Sequence, residues 1–173
     1  MEIIETPMLA RAKVLVHQSR PTAFDSETGL WLYEQVGEDE EAWNLITNTG
    51  RVQLHTQVYG TAGLLGNGFN YIGLTNDGAA PAPTDSVLPF ELTNVGAPGL
   101  GRVQGLVTLP TGSGTVTTIV NTFTYTGLTS QAVQKTALFT AVSSGVMNHE
   151  IAFTQRTLFT NDTLTLTFSI STS

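Results

Sequence analysis

The sequence predicts an all-β protein, an antiparallel β-sandwich of jelly-roll-like type with one short helix and an extended N-terminal arm. Three observations predict this class. Charged residues make up only 12% of the 173 residues, about half the usual share, and a sheet whose exposed faces carry threonine hydroxyls accounts for that. Roughly eight short β-favouring runs alternate with turn-forming residues. The last run, 163–171, places an apolar side chain at every second position, which indicates one buried and one solvated face.

Length and charge restrict the organisation of the chain. A chain of this length fits one compact domain and buries about 70% of its unfolded surface without a disulfide or metal. We expect residues 1–20 to form an arm and a first strand, and residues 21–173 to form a single sandwich domain. The formal net charge is −7, and the seven basic residues are scattered, which argues against a nucleic-acid partner. No secretory leader or membrane-length apolar run is evident, so we expect no membrane partner and assembly in a cytoplasm.

The first third of the chain carries three segments that could contact a partner. Residues 1–10 are either a frayed terminus or an arm that inserts Ile3, Ile4, Met8 and Leu9 into an apolar groove of a neighbouring subunit. A first strand is predicted at 11–18 and a second at 30–36. The second strand has Leu30 and Leu32 on one face and Trp31 and Tyr33 on the other, which indicates that the fold or a partner covers both faces.

Between these strands and the middle of the chain, three features are predicted. The acidic run at 37–41 is typical of a solvated loop. Residues 52–59 have apolar side chains at helical spacing, which predicts the single short helix. The glycine-rich segment 60–68 is predicted to be a loop with Leu64 and Leu65 at its tip.

The stretch 69–89 is predicted to be a strand followed by a stiff surface loop. Asp77-Gly78 would end the strand, because glycine supplies the positive φ of a tight turn. Pro81 and Pro83 cannot continue a ladder. With no convergent chemistry around them, these residues predict a rigid corner between strands, which loses little entropy when it docks on a neighbour.

The second half of the chain is predicted to be mostly strands. Residues 90–100 read as a loop. Strands at 102–109 and 115–125 form one hairpin, and strands at 132–142 and 146–153 form another. The final alternating strand closes the sheet.

No group of residues predicts catalysis. The three histidines, His17, His55 and His149, lie in different elements without ligand spacing, so we predict no metal site and no cofactor. His149 and Glu150 are adjacent on a strand and should point to opposite faces, one inward and one outward. Asp77 and Asp85 flank the proline-rich loop, where turn capping is the commoner use of aspartate than cation binding. Nucleophile elbows and phosphate-binding loops are missing from the sequence, so we expect no catalytic residues and no enzyme.

Several segments in order resemble a family of small structural proteins of tailed bacteriophages, described as tail-fibre-like or virion proteins. The segments are Asn-Leu-Ile-Thr-Asn-Thr-Gly-Arg at 44–51, the run from Asn70 to Leu88 with Glu91, Gly101-Arg102, Val-Gln-Lys-Thr-Ala-Leu-Phe-Thr-Ala at 133–141, and Asp-Thr-Leu-Thr-Leu-Thr-Phe at 162–168. The resemblance covers residues 44–173. It implies a non-enzymatic, oligomeric component of the particle and carries over no catalytic residue.

The favoured hypothesis is a capsid decoration (cement) protein that binds the outer surface of the virion head as a homotrimer. Its partners would be the major capsid protein and sister subunits, with assembly in the host cytoplasm. The candidate partner-binding residues are Ile3, Ile4, Met8, Leu9, Trp31, Tyr33, Leu64 and Leu65. Two alternatives stay open. One is a tail fibre, baseplate or adaptor component. The other is a carbohydrate-binding β-sandwich in which Trp31 and Tyr33, or Tyr71, form the sugar platform, although covered core positions are the favoured places for these side chains.

Overall fold

The computed structural model describes residues 11–43, 45–47, 68–108 and 116–171. Within these residues the chain forms eleven strands and no helix. They are β1 (Arg11–Asp25), β2 (Leu30–Gln35), β3 (Glu40–Trp43), β4 (Leu45–Ile46), β5 (Tyr71–Thr75), β6 (Val103–Gln104), β7 (Leu106–Thr108), β8 (Val116–Thr124), β9 (Gln131–Phe139), β10 (Met147–Leu158) and β11 (Thr163–Ser171). The predicted helix at 52–59, the arm at 1–10, and Leu64 and Leu65 lie outside the described residues.

The strands form two antiparallel sheets, which confirms the predicted sandwich. The first sheet has the order β2-β1-β11-β8-β7, with β3 also paired to β1, and the second has the order β4-β10-β9-β5-β6. The pairing is nested, because β1 pairs with β11, β4 with β10, β5 with β9 and β7 with β8. The chain therefore folds back on itself about its middle, which is the jelly-roll-like feature of the fold.

The main core lies between the two sheets. Strand β1 contributes Val14 and Val16, and strand β11 contributes Leu164, Leu166 and Phe168, all fully buried. The hydroxyl side chains of β11 lie on its other face, where Thr165 Oγ1 is 2.8 Å from Thr122 Oγ1 of β8. The strict alternation predicted for the last strand is thus confirmed.

A second, smaller core lies on the outer face of the second sheet. Leu88, in the loop after β5, packs with Ala137 and Phe139 of β9 and with Met147 of β10, and Tyr71 packs against them. The 76–89 loop therefore covers the outer face of this sheet, and side chains on both faces of β9 and β10 are buried. The predicted corner after β5 is a lid on the sheet.

Three local predictions are wrong. The strand predicted at 102–109 is two strands in different sheets, because the chain changes sheet at Gly105, where a Cβ would lie 2.6 Å from Ile119 Cγ2. The first strand continues to Asp25, and the register shift beside Pro21 accommodates a proline within it. Gly78 has no positive φ. The chain turns there because Asp77 Oδ1 accepts a hydrogen bond from Ala79 N at 3.1 Å.

Within the described part of the chain, no helix has the length and apolar character needed to cross a membrane.

Candidate functional site

Strands β1 and β2 form a hairpin that extends past the sheet. Strand β11 pairs with β1 only as far as Ser19, and from Ser19 to Asp25 the partner of β1 is β2. At the tip, Gly29 N donates to Asp25 O at 2.8 Å, and Gly29 has a φ of 71°. The Asp25 carboxylate accepts hydrogen bonds from Thr28 Oγ1 at 2.7 Å and Glu27 N at 2.9 Å, which lower its pKa. The tip is therefore a defined turn.

The hairpin carries large apolar side chains on both faces. All six residues of β2 are exposed. Phe24 and Trp31 are cross-strand partners, with ring centroids 5.4 Å apart in an edge-to-face arrangement. We call the following five residues, each between 47% and 65% exposed, the hairpin patch: Phe24, Leu30, Trp31, Leu32 and Tyr33. No described part of the chain covers this strand, so covering of β2 by a partner stays a prediction. Clustered exposed apolar side chains of this kind mark interaction sites.

The base of the hairpin is fixed to the sandwich. Arg20 forms a bidentate salt bridge with the buried carboxylate of Asp162, at 3.0 Å from Nε and 3.1 Å from Nη2. The Arg20 guanidinium also lies 4.8 Å from the ring centre of Phe159. Asp162 also accepts a hydrogen bond from Phe159 N at 3.0 Å. Paired charge-assisted hydrogen bonds fix direction as well as distance. The base of the hairpin is thus tied to the sandwich.

The acidic run beside the hairpin is only in part the solvated loop that was predicted, because residues 37–39 are exposed and lie outside the strands whereas the last two residues of the run do not. Glu40 and Glu41 belong to β3. The Glu40 carboxylate accepts hydrogen bonds from Thr154 N at 2.8 and 3.0 Å, and Glu41 pairs with Lys13 at 2.6 Å. Strand β3 pairs with a part of β1 that β2 does not reach. This pairing brings the two glutamate carboxylates to their hydrogen-bond and ion-pair partners.

A Ser-His-Asp hydrogen-bond chain joins β1 to the turn before β3. His17 Nε2 lies 2.9 Å from Ser19 Oγ, and His17 Nδ1 lies 2.6 Å from Asp39 Oδ1. This is the order of groups in a nucleophile, base and orienting acid. Gln35 Nε2 also donates to Asp39 Oδ1, at 2.9 Å, so the hydrogen-bond chain connects β1, β2 and the turn.

A cavity of about 350 Å³ lies away from the Ser-His-Asp hydrogen-bond chain, lined by Asn94, Gly99, Gly101, Arg102, Val103 and residues 121–124.

Sequence reasoning missed this chain. Alternation on a strand places His17 and Ser19 on one face, so the proximity of these two residues could be predicted from the sequence. The position of Asp39 depends on how β3 returns to β1.

A buried ionic cluster lies beneath the 76–89 loop. Lys135 is 1% exposed and Glu150 is fully buried. Lys135 Nζ lies 2.9 Å from Asp77 Oδ2 and 3.2 Å from Glu150 Oε1. Burial lowers the pKa of Lys135, but its two carboxylate partners outweigh burial and raise it overall. The cluster fastens the loop to β9 and β10, and the predicted turn capping by Asp77 and Asp85 is confirmed, since Ala82 N donates to Asp85 Oδ2 at 2.8 Å.

The prediction that one of His149 and Glu150 points outward to solvent is wrong, because both are buried. Alternation places Glu150 opposite Ala137, under the loop, and His149 on the opposite face. Burial, reinforced by the charge of the Asp85 carboxylate, raises the pKa of Glu150 to about 7. Burial lowers the pKa of His149 to about 4, and its ring nitrogens have no hydrogen-bond partner among the described residues.

The structure brings together Trp31 and Tyr33 of the predicted partner-binding residues, and adds Phe24, Leu30 and Leu32 to them. Ile3, Ile4, Met8, Leu9, Leu64 and Leu65 lie outside the described residues. Tyr71 packs in the outer core, so it is not an exposed sugar platform. In the described ranges, no group of three or more histidine, aspartate or glutamate side chains could hold a metal ion. Comparisons of the chain with protein-family models, with curated proteins and with solved structures found no match.

Proposed function

We propose that this chain is a non-enzymatic structural subunit of a bacteriophage virion, a decoration protein that binds the outer surface of the capsid as an oligomer. The observation that carries the proposal is the hairpin patch on a projecting hairpin with a fixed base. Such a surface is poorly matched to water and well matched to a protein partner. The resemblance to structural proteins of tailed bacteriophages supplies the kind of particle.

The energy available at the hairpin patch supports an assembly role. Complete burial of a large apolar side chain contributes about 1.5–3 kcal/mol relative to leaving it exposed. The five side chains of the patch are already about half covered, so burying the remainder is worth several kcal/mol before the cost of association. One such contact is modest, but many copies on one particle act together.

The proposed division of labour uses two segments. Residues 1–10 bind the major capsid protein through Ile3, Ile4, Met8 and Leu9, by adding a strand to an exposed sheet edge. The hairpin patch contacts sister subunits, which form a trimer. Nucleic acid and membrane are not partners in this proposal.

Particle binding tests the proposal. Purified protein is added to heads that lack it, and bound copies are counted by quantitative gel analysis and located by electron microscopy. We expect full occupancy by the wild-type chain and loss of binding by a variant lacking residues 2–10. The two tryptophans provide a matched pair, because both are more than half exposed and Trp31 lies in the hairpin patch whereas Trp43 lies outside it. Trp31→Ser should lower occupancy, and Trp43→Ser should not.

Two outcomes would redirect the proposal. Unchanged occupancy after deletion of residues 2–10 would contradict capsid attachment through the arm. Copies at the tail, in small multiples of three or six, would favour the fibre, baseplate or adaptor alternative. A decoration protein is present in far larger numbers.

The exposure of Trp31 and Tyr33 also favours a second candidate function, carbohydrate binding on a host surface. Sugar sites use an exposed aromatic ring with neighbouring polar groups, and Glu34 and Gln35 follow these rings on the same strand. Binding to a glycan array that is lost with Trp31→Ala and kept with Trp43→Ala would support this candidate. Absence of binding to any glycan would remove it.

A further inference from the structure

The first sheet has a second apolar edge at the end opposite the hairpin. Strand β7 closes the order β2-β1-β11-β8-β7, and no described strand pairs with its outer side. Leu106 is 75% exposed, and Val107 on the same strand and Val116 on β8 are also exposed. We call these three residues the edge patch. Natural edge strands are usually protected by a charged residue or proline, and β7 contains neither.

The two patches differ in charge. Glu27, Glu34 and Glu38, in and beside the hairpin, form no ion pair within 4 Å in the described part of the chain. Residues 103–134, which contain β7 and β8, include no charged side chain. A contact between two hairpins would bring equal negative charges together, which is destabilising. A contact between a hairpin and an edge patch brings a negative surface against a neutral one.

We propose that the hairpin patch of one copy docks on the edge patch of the next copy, so that the oligomer is built head to tail. The occupant of each patch is therefore a second copy of this chain. Strands β2 and β7 each have an edge that is not paired with any other described strand, so main-chain hydrogen bonds can join β2 to β7 between copies. A contact between two different surfaces closes into a ring when the rotation between copies allows it. This inference names the sister-subunit contact and so rests on the oligomeric part of the proposed function.

Two substitutions separate the patches. Leu32→Asp damages the hairpin patch, and Leu106→Glu damages the edge patch. Each replaces a side chain that is at least half exposed, so the fold should survive. Val95→Asp and Leu128→Glu are matched controls, because both residues are exposed and belong to neither patch. Buried unpaired charge at such a contact should weaken association by about 30-fold or more.

The informative experiment is mixing, followed by native mass spectrometry and sedimentation. We expect the wild-type chain and both controls to form one closed oligomer, and each patch variant alone to be monomeric. An equimolar mixture of the two variants should give a heterodimer and nothing larger. One hairpin patch and one edge patch remain intact in such a pair, and the different masses of the two substitutions identify it.

Several results would overturn the inference. If Leu106→Glu remains fully oligomeric while Leu32→Asp is monomeric, the hairpins pair with each other. If the wild-type chain is monomeric at micromolar concentration, copies do not pair through either patch. A wild-type monomer that still binds particles leaves the capsid role standing, whereas a closed ring that does not bind them refutes only that role.

A cross-linking measurement covers the case in which a charged variant unfolds. The chain contains no cysteine, so Leu32→Cys and Leu106→Cys each provide a single thiol. A short bismaleimide linker should join a Leu32→Cys chain to a Leu106→Cys chain in the mixture. Neither variant alone should give a linked dimer. Efficient linking of Leu32→Cys to itself would refute the head-to-tail arrangement.

Discussion

His149 and Glu150 are neighbours whose effects on stability should oppose each other as pH changes. For Glu150 the folded pKa of about 7 lies above the value of 4.5 for the free side chain. Between these pH values the unfolded chain loses the proton and the folded chain keeps it, so the free energy of unfolding falls as pH rises. For His149 the folded pKa of about 4 lies below the value of 6.5 for the free side chain. Between those values only the unfolded chain is protonated, so the free energy of unfolding rises with pH.

The structure sets the magnitude of both effects. Each pKa is displaced by an amount equivalent to about 3 kcal/mol, and each side chain is buried, so solvent screens little of it. The two windows overlap between pH 4.5 and 6.5. Across that range the two slopes nearly cancel in the wild-type chain. Substituting one residue should reveal the slope of the other.

Glu150→Gln and His149→Leu, studied by urea unfolding from pH 4 to pH 8 at constant ionic strength, test this reasoning. The free energy of unfolding of Glu150→Gln minus that of wild type should increase by about 3 kcal/mol between pH 4 and 8. The same difference for His149→Leu should decrease by about 3 kcal/mol between pH 4 and 7. Changes with pH are compared, because each substitution also adds a constant packing effect. A difference that does not vary with pH would show that the residue keeps the same protonation in both states, and would refute the reasoning for it.

Three further predictions follow from single contacts. Lys135→Met leaves the buried Glu150 carboxylate without its cation at pH 8, where Glu150 is ionised in the folded chain, and should lower the free energy of unfolding there by about 3–5 kcal/mol. Lys13→Met, which breaks an exposed pair, should cost about 0–1 kcal/mol. Equal costs in denaturant titration would contradict a buried cluster. Gly99→Ala should lower the free energy of unfolding by more than about 2 kcal/mol, because Gly99 has a φ of 86° and a Cβ there would overlap Thr124 O. Gly68→Ala is the control, because the space around Gly68 is open. A similar thermal midpoint for both variants would refute the close approach of Gly99 to Thr124. Ser19 should react with a fluorophosphonate no faster than the exposed Ser26, because a nucleophilic serine also needs hydrogen-bond donors for the developing oxyanion. Peptide mapping measures the labelling of each serine. Selective labelling of Ser19 that is lost with His17→Gln would show that the Ser-His-Asp hydrogen-bond chain is reactive.

Local pattern was sufficient to predict much of the fold. Strict alternation in 163–171 predicted the buried strand β11, because period two has one structural meaning when one face is apolar. Turn residues placed the β7–β8 and β9–β10 hairpins. The two-faced apolar pattern of Leu30–Tyr33 indicated a strand with an unusual environment, and two of the five residues of the hairpin patch were predicted. These features depend on neighbours along the chain or directly across a turn.

Other features depended on contacts between distant residues. Gly105, where the chain changes sheet, lies against Ile119, and no local pattern encodes that approach. Glu150 was expected to point to solvent if His149 pointed inward, and it is buried because the 76–89 loop folds over β10. The same loop brings Asp77 to Lys135 across 58 residues of sequence.

The sequence by itself determined most of the strand segments and which side chains are apolar, because strand periodicity and turn chemistry are local properties. Only the tertiary structure decided which apolar side chains stay exposed and which charges become buried. Whether a side chain is buried depends on which other segments pack over it. The hairpin patch is an apolar surface that stays exposed, and the Lys135–Glu150 pair is a charged pair that becomes buried. Trp31 is exposed because no described segment packs on the projecting hairpin, and Glu150 is buried because a loop after another strand closes over it.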